Sequence, residues 1–235
     1  MQNSETSAKK SGGALTFIRD LIVIVLVALL ISFLLKTFLI RSFFIPSSSM
    51  ETTLKVNDRV MVNQLVPDVV GLNRGDVVVF SDPGGWILSV PQKNDSALGK
   101  FMQFIGLAPE DDASYLIKRV IGLPGDHVVC CDARGRLSIN GETLDETYLS
   151  EETRNHPGPY TEFDVTVPEN ALWVLGDNRF ASRDSRFNTD QPGRGFVPID
   201  NVVGRAFVLN WPLDRFTWLD NYAEVFKKVP DPADK

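Results

Sequence analysis

Residues 21–40 read LIVIVLVALLISFLLKTFLI, and this stretch divides the 235-residue chain into two parts. Seventeen of its twenty residues are apolar. Twenty helical residues span about 30 Å, which is the thickness of the hydrocarbon core of a bilayer. No polar face interrupts the run, which argues against a helix packed into a soluble core. We therefore predict a transmembrane helix at 21–40, after a short polar tail at 1–20.

The same run has a second interpretation as a cleaved signal peptide, because a basic segment precedes its apolar centre. The residues at its carboxyl end, KTFLIR at 36–41, lack the small-residue pattern that a cleavage site requires. An uncleaved anchor is therefore the better interpretation. The positive-inside rule leaves its orientation open, because basic residues stand on both sides. They are Lys9, Lys10 and Arg19 before the run, and Lys36, Arg41, Lys55 and Arg59 at or after its end.

From residue 41 onward the sequence is typical of β-structure. Branched and aromatic residues recur in short runs between turn signals. The runs lie at 59–66, 76–80, 115–121, 127–131, 136–139, 163–167, 171–175 and 202–209. Asn140-Gly141 predicts a hairpin turn, since both residues tolerate positive φ, and 132–135 predicts another. We expect an all-β body of antiparallel sheets at 41–222, without a long helix.

Two stretches interrupt this pattern, and a tail follows it. Residues 82–114 form a variable insertion with an apolar patch at 101–105, which could be a short helix, a surface for lipid or substrate, or a packed lid. Residues 150–160 are polar and end in a Pro/Gly-rich loop. The carboxyl-terminal tail at 223–235 is expected to fray.

Charge and cysteine content exclude several classes of site. The net charge is −6, and residues 1–40 carry +2, so the remainder carries −8. An acidic body without a Lys/Arg cluster is a poor nucleic-acid binder, since such binding depends on neutralising phosphates. The two cysteines, Cys130 and Cys131, are neighbours whose side chains would point to opposite faces of a strand, which favours two thiols over a disulfide. No metal-ligand spacing is present, and we expect no metal.

A serine-rich segment follows the apolar run within a few residues. It reads Ile45-Pro46-Ser47-Ser48-Ser49-Met50-Glu51-Thr52-Thr53-Leu54. Proline fixes its own φ and biases the preceding residue towards an extended backbone. Such a segment can hold a hydroxyl still near a bilayer surface, although a run of serines is ordinarily a loop.

A lysine interrupts one of the apolar strands. Residues 115–125 read YLIKRVIGLPG, which places Lys118 and Arg119 between branched residues. Lysine is seldom fully buried without a partner or a purpose. In a regular strand one of the two cations faces inward. The alternative is an edge strand that leaves both charges solvated.

A third segment, GDNRFASRDSR at 176–186, follows the apolar strand ALWVL. Gly-Asp-Asn is a turn signal, and a charged loop after a strand is usually solvated. This loop holds three arginines and two aspartates, which is enough to form a salt-bridge network of its own and to fix the loop rigidly.

A nucleophilic serine needs a base. A Ser-His-Asp arrangement requires a histidine beside the serine, and neither His127 nor His156 has a distinctive setting. A lysine is the alternative, provided that burial lowers its pKa from about 10.4. The apolar neighbours of Lys118 can supply that burial.

Together, and in this order behind an anchor, the three segments resemble the bacterial type I signal peptidases (leader peptidases). These are membrane-anchored serine proteases that remove signal peptides from exported proteins. The resemblance runs from the anchor to about Trp211. The matching residues are PSSSM at 46–50 with Thr53, Leu54 and Asp58; Lys118 and Arg119 with GLPGD at 122–126; and GDNR at 176–179 with Ser182, DSR at 184–186 and GFVP at 195–198.

The resemblance implies a role for each matching residue. Ser49 would be the nucleophile and Lys118 the general base. Ser47 would form the oxyanion hole together with the backbone N–H of Ser49, and Ser182 would orient the lysine. The remaining residues would hold the site together by ion pairing: Asp177, Asp184, Arg119 and Arg186.

Three positions depart from the family pattern. Thr52 stands where the family often has proline, and Asn57 where it has glycine before the aspartate. Asn57 can replace glycine because asparagine tolerates positive φ. Ser48 takes the place of a common glycine beside the nucleophile, where a small residue should be tolerated.

The resemblance also implies partners and location. The substrates would be secretory preproteins with small residues at the first and third positions before the cut, and neither a metal nor a cofactor would be needed. The chain would lie in the cell membrane as a single-pass protein, with its 1–20 tail in the cytoplasm and its catalytic body outside. Two other classes are compatible with parts of the pattern: a soluble self-cleaving Ser-Lys regulator, and a membrane-tethered β-rich binding protein in which Ser49 and Lys118 are structural.

Overall fold

The computed structural model of the chain describes residues 13–87, 114–155 and 161–232. The chain divides into two compact units, with the boundary between Leu39 and Ile40. The first is helical in its described part, and the second is built mainly from antiparallel strands. Most of the expected insertion, with its apolar patch, lies outside the described residues, as does His156.

Helix α1 runs from Gly13–Phe38. Its side chains from residue 16 to residue 33 are all exposed, and Thr16–Phe33 has a mean hydropathy of 2.4. Its length and composition are therefore sufficient to cross a bilayer. The helix begins eight residues before the predicted start at 21, because residues 13–20, GALTFIRD, contain no proline that would stop it. Residue 40 belongs to the first strand instead of the helix.

The strands form two antiparallel sheets. Their bounds are β1 Ile40–Phe44, β2 Arg59–Asn63, β3 Val77–Ser81, β4 Tyr115–Gly122, β5 His127–Cys130, β6 Ser138–Ile139, β7 Glu142–Thr143, β8 Phe163–Thr166, β9 Ala171–Leu175, β10 Val197–Pro198, β11 Val202–Trp211 and β12 Thr217–Trp218. Within the described residues, the larger sheet has the order β1-β2-β11-β3-β4-β9-β10, and β12 pairs with β11. The smaller sheet has the order β7-β6-β5-β8. The predicted all-β body of antiparallel sheets is confirmed.

Each of the eight predicted runs contains a strand, but β1, β7, β10 and β12 were not predicted. Strand β1 begins at Ile40, the last residue of the apolar run, which had been assigned to the helix. The other three are two residues long, too short for an alternating pattern to be detected.

Both predicted turns are present. Asn140 and Gly141 have φ values of 51° and 85°, the positive values that a two-residue hairpin of this type requires. The Leu144 N–H donates to the Leu137 carbonyl at 2.8 Å across the base of that hairpin. In the other turn, the Gly135 N–H donates to the Asp132 carbonyl at 2.8 Å.

There are two main buried clusters around these elements, of which one connects the two sheets and the other supports the serine-rich segment. Trp173, fully buried, packs at 5.1 Å from both Phe163 and Phe196 in a cluster that includes side chains of both sheets. A second cluster lies over β1, β2 and β11 and includes Met50 and Leu54, which are fully buried. The residues around Ser49 are therefore anchored to the larger sheet.

The end of the chain is packed, which corrects the expectation of a frayed tail after residue 222. Two short helices, α2 (Glu151–Asn155) and α3 (Ala223–Phe226), lie in the body. Phe226 and Val229 are buried in the cluster around Trp173. Apolar side chains in this segment give it a place in the core, so the described residues up to 232 are part of the fold.

Cys130 and Cys131 form a disulfide, which corrects the expectation of two thiols. The expectation relied on alternating side chains along a strand. Strand β5 ends at Cys130, so Cys131 lies beyond the strand and is free of that alternation.

Candidate active site

The serine-rich segment is a loop whose two ends are tied together. The Ile45 N–H donates to the Asp58 carbonyl at 2.9 Å, and the Asn57 N–H donates back to the Ile45 carbonyl at 2.9 Å. Between these ends Met50 and Leu54 are buried. Burial of these side chains and closure of the loop hold the backbone at Ser49 in one place.

Asn57 takes the left-handed conformation that the family pattern assigns to glycine at this position. Its φ is 75°, so the expectation that asparagine can replace glycine here is confirmed. The next residue, Asp58, accepts a hydrogen bond from the Lys55 N–H at 2.7 Å and forms an ion pair with Arg215. These contacts close the turn at the end of the serine loop.

Lys118 and Arg119 lie on an interior strand. Strand β4 is bordered by β3 and β9, with Lys118 opposite Val78 and Arg119 opposite Leu175. Both cations are buried, Lys118 to 2% exposure and Arg119 to 0%. The alternative of a solvated edge strand is therefore wrong, and both side chains, rather than one, are buried.

The buried lysine meets the serine. Lys118 Nζ lies 2.8 Å from Ser49 Oγ and also donates to the Ile117 carbonyl at 2.8 Å. Burial lowers the pKa of Lys118 from 10.5 to about 8, while the charges of Asp184 and Asp177 oppose that shift. An amine with such a pKa is neutral in part of the population near neutral pH, and it can then accept a proton from a hydroxyl.

Ser47 supplies a second hydroxyl beside Ser49. The two Oγ atoms are 3.3 Å apart, at the long end of hydrogen-bonding distance. The Ser47 hydroxyl can therefore donate a hydrogen bond next to the Ser49 oxygen, the atom that would attack a carbonyl group. This is where a developing oxyanion would need stabilisation.

Asp177 connects the loop after β9 to two other parts of the site. These are strand β4, through Arg119, and the serine-rich segment, through Thr53. Its carboxylate accepts from Arg119 Nε at 2.9 Å and from Arg119 Nη2 at 2.7 Å, a bidentate ion pair. It also accepts from Thr53 Oγ1 at 2.5 Å. In addition, the Asn178 N–H donates to the Ser49 carbonyl at 3.1 Å. The loop thus fixes the Ser49 segment relative to β4.

Asp184 and Arg186 form the second ion pair. Two Arg186 nitrogens, Nε and Nη2, each lie 2.8 Å from the Asp184 carboxylate, which also accepts from the Gly176 N–H at 2.9 Å. Burial alone would raise the pKa of Asp184, but its hydrogen bonds and the charge of Arg186 hold that pKa below its ordinary value. A charged carboxylate is therefore retained close to Lys118.

The expectation of a self-contained salt-bridge network in this loop is wrong. Arg186 pairs within the loop, but Asp177 pairs with Arg119 of β4, and Arg179 pairs with Glu146 near β7. The charges of this loop pair with residues in three parts of the fold. A count of the loop's own charges cannot identify those partners.

Ser182 is buried beside the site but does not bond to the lysine. Its Oγ has no hydrogen bond of good geometry within the described residues, although it lies close enough to Asp184 to help lower that pKa. A side chain at Gly176 would collide with Ser182 and with the Ser49 backbone carbonyl, since both lie closer than 3.0 Å to the place of a Cβ atom. Ser182 and Ser49 therefore converge on this glycine.

The histidines do not form a triad in the described residues. His127 lies on β5 and pairs with Asp164 at 2.6 Å, with both side chains exposed. In the described part of the chain, no group of three or more His, Cys, Asp or Glu side chains is placed to hold a metal ion.

Four residues of the site had no role in the sequence-based interpretation. Thr53 and Arg179 belong to the matching motifs, and their hydrogen-bonding side chains were the available signal. Tyr148 and Tyr222 lie outside all three motifs, yet both rings contact Arg119. No local pattern marks them, because their contacts arise from folding of distant segments.

A family model described as signal peptidase, peptidase S26, matches residues 18–211. A probable signal peptidase I of Mycobacterium leprae is 38% identical over 200 residues, which cover 73% of this chain and 68% of that protein. The signal peptidase I of Mycobacterium tuberculosis is 37% identical over 220 residues, which cover 85% of this chain and 74% of that protein.

Among solved structures, a crystal structure of a signal peptidase I from Enterococcus faecalis is 31% identical to this chain. The match covers 57% of this chain and 95% of that one, with a TM-score of 0.38.

Proposed function

The chain belongs to the signal peptidase family, peptidase S26, as a serine endopeptidase of the signal peptidase I type, and from this premise we propose that it removes signal peptides from exported preproteins with Ser49 as nucleophile and Lys118 as general base. The observation that carries the assignment is the 2.8 Å contact between Lys118 Nζ and Ser49 Oγ. Both side chains are buried, so the pair is shielded from water that would compete for the proton.

In the first step the neutral amine of Lys118 takes the Ser49 hydroxyl proton. The Ser49 oxygen then attacks the scissile carbonyl carbon. With a pKa of about 8, roughly one lysine in ten is neutral at pH 7. Negative charge develops on the carbonyl oxygen, where the Ser47 hydroxyl and the Ser49 N–H are the proposed donors.

In the second step the tetrahedral intermediate collapses. Lys118 passes its proton to the leaving amine, and the signal peptide stays bound to Ser49 as an acyl-enzyme. Water, deprotonated by the same lysine, then hydrolyses the ester and restores the enzyme. The two ion pairs, Arg119–Asp177 and Arg186–Asp184, keep the loop that contacts Ser49 in place. Ser182 is proposed to orient the lysine after a small rotation of its side chain.

We propose that the substrate lies extended along a strand edge near Ser49, with small residues at the first and third positions before the cut. Strand β1, which precedes the serine loop, pairs with β2 alone among the described strands, so its other edge is open to an added strand. This specificity is tested by substituting each of the two positions in a preprotein with leucine. Equal cleavage of all variants would contradict it.

The catalytic body is proposed to act outside the cytoplasm, with α1 as the anchor and residues before it inside. The family is membrane-associated, and α1 is long enough to span a bilayer. Protease added to intact spheroplasts should digest residues 40–235 but spare an amino-terminal tag. Protection of the body would reverse the topology.

An exposed aromatic patch supports contact of the body with lipid. Near the end of the larger sheet, Trp211, Leu213, Phe216 and Trp218 are each more than half exposed. Tryptophan is enriched at membrane–water interfaces, and clustered exposed apolar side chains mark interaction sites. Replacing Trp218 and Leu213 with glutamine should reduce binding of the isolated 40–235 body to phospholipid vesicles; unchanged binding would refute this contact.

The test of the proposed function is cleavage of a purified preprotein by the detergent-solubilised chain, run beside Ser49→Ala and Lys118→Ala. We expect cleavage after a small residue by the parent chain alone, with both variants folded. Cleavage by Lys118→Ala at the parent rate would mean that another group activates Ser49.

The same experiment separates the alternatives. A self-cleaving regulator would process its own chain and leave the preprotein intact. A tethered binding protein would cleave neither, and Ser49→Ala would change its stability instead of its activity. The family match favours neither alternative.

A further inference from the structure

The guanidinium group of Arg119 contacts two tyrosine rings that lie next to each other. It is 4.3 Å from the ring centroid of Tyr148 and 5.3 Å from that of Tyr222. The two rings are themselves 5.4 Å apart. Both distances to the cation are within the range of a cation–π interaction. Arg119 is next to Lys118 in sequence and is the ion-pair partner of Asp177.

Tyr148 is held in position by a buried network of its own. Its hydroxyl donates to Glu146 at 2.5 Å, and the same carboxylate accepts from Arg179 at 2.5 and 3.1 Å. The Tyr148 carbonyl accepts from Thr52 Oγ1 at 3.3 Å, which ties it to the serine loop. Tyr148 and Glu146 are almost fully buried, so the ring cannot move without breaking these bonds.

Tyr222 is held by the packed end of the chain. Its φ and ψ are 51° and 49°, a left-handed conformation that bulky residues rarely adopt. Such a conformation persists where surrounding structure enforces it, and it is found often at functional sites. Phe226, buried in the core, and the Asp220 carbonyl, which accepts from Arg119 Nη1 at 3.3 Å, fix the segment on each side.

The position of Arg119 affects how the Ser49 segment is held against Lys118. Through its bidentate pair it holds Asp177, which accepts from Thr53 Oγ1, four residues after Ser49. Thr53 and Arg119 Nη2 are also 3.4 Å apart. A guanidinium that turned away would release Asp177 and, with it, one of the contacts that hold the Ser49 segment against Lys118.

We propose that Tyr148 and Tyr222 form an aromatic clamp that positions Arg119, and that through the Arg119–Asp177 pair this clamp fixes Ser49 against Lys118. The inference rests on the proposed function, because its effect is read as cleavage. It makes the end of the chain, residues 219–229, a positioning element of the active site.

The clamp has a predictable effect on the pH dependence. The charged groups that face Lys118 are Asp177 and Asp184, and each is neutralised by an arginine, Arg119 or Arg186. Weakening the hold on Arg119 exposes Lys118 more fully to the negative charge of Asp177. Because a nearby negative charge favours the protonated amine, the acid limb of kcat/KM should move to higher pH.

The test uses aromatic residues of equal shape and graded electron density. Phenylalanine and then trifluorophenylalanine are placed at position 222, and separately at position 148, in the full-length enzyme. Fluorine withdraws negative charge from the ring face and so weakens a cation–π contact with little change in volume. Trifluorophenylalanine at Phe163, whose ring packs on Trp173, is the matched control.

We expect kcat to fall about five- to tenfold from phenylalanine to trifluorophenylalanine at 148 or 222, a range set by the usual strength of a cation–π contact. KM should stay within twofold, the acid limb should move to higher pH, and the control should keep the parent values. Tyr148→Leu and Tyr222→Leu should lower kcat further.

The outcomes are distinguishable. If the parent enzyme cleaves and the folded fluorinated variants keep its kcat and pH profile, the rings are merely structural and the clamp is refuted. A lower unfolding temperature with unchanged kcat would refute it in the same way. If the parent enzyme itself fails to cleave, the proposed function falls and the clamp falls with it.

Discussion

Replacing Gly176 with alanine should disable the enzyme while leaving most of its fold intact. Gly176 stands at the end of β9, where the loop from 176 to 186 meets the serine segment. A Cβ atom at this position would meet Ser182 Oγ, Ser182 Cβ and the Ser49 carbonyl oxygen, all closer than 3.0 Å. The Ser182 hydroxyl can turn aside by rotation about χ1, but the Ser182 Cβ atom and the Ser49 carbonyl oxygen can move only with the backbone.

The size of the effect follows from that geometry. Restoring an ordinary contact requires a movement of roughly 1 Å at Ser49, and misplacement by that distance typically costs about 100-fold in rate. We therefore expect kcat to fall about 100-fold with KM changed little, since the β1 edge that is proposed to bind the substrate is not among the groups that a Cβ atom at position 176 would meet. Overpacking of this kind typically also costs about 1–3 kcal/mol in the free energy of unfolding.

The assay is single-turnover cleavage of a preprotein, with the stability of each variant measured by denaturant unfolding. Gly71→Ala is the control, because nothing lies within 4 Å of a Cβ atom at that exposed position. If Gly176→Ala cleaves within threefold of the parent rate, the close approach of the loop to Ser49 is not required, and the reasoning is wrong.

Three further predictions follow from the same contacts. Lys118 is the proposed base, and an amine can accept a proton only when it is neutral. Because its pKa is about 8, kcat/KM should rise with pH through a midpoint near 8 and be lost on acidification; a flat profile from pH 5 to 9 would exclude Lys118 as the base. Asp177→Asn removes the anionic partner of a fully buried Arg119, so it should lower the free energy of unfolding, measured in urea, by about 3–5 kcal/mol. An effect below about 1 kcal/mol would contradict the buried ion pair. At position 57, where φ is 75°, glycine should be tolerated, whereas valine should lower the free energy of unfolding by at least about 1–2 kcal/mol. Equal stability of the two variants would show that the left-handed conformation is absent.

Several features of the protein could be predicted from local sequence. A run of seventeen apolar residues in twenty leaves few alternatives to a membrane-spanning helix, although its bounds were displaced by up to eight residues. Alternating runs predicted eight strands, and Asn140-Gly141 predicted a hairpin, because backbone preferences of this kind depend on neighbouring residues only. Ser49 and Lys118 could be named as a pair only through the resemblance of three ordered motifs to a family.

Other features depend on which segments meet. Strand β11 lies between β2 and β3, so residues 202–211 pair inside the larger sheet with two strands from much earlier in the chain. Whether Lys118 is solvated or buried depends on β3 and β9 covering β4, which the sequence of β4 does not encode. The two-residue strands and the disulfide after β5 likewise depend on contacts beyond their own residues.

The amino-acid sequence by itself therefore determined the long apolar helix and the β-rich body, and the resemblance of its motifs to a family supplied the proposed pair of Ser49 and Lys118. The tertiary structure decided the environment of that pair: the 2.8 Å contact, the burial that lowers the lysine pKa, and the two tyrosines that contact Arg119. The physical reason is that hydrophobic periodicity and turn preferences act over a few residues, whereas the Lys118–Ser49 contact and the Arg119–Asp177 ion pair join residues that are 69 and 58 positions apart.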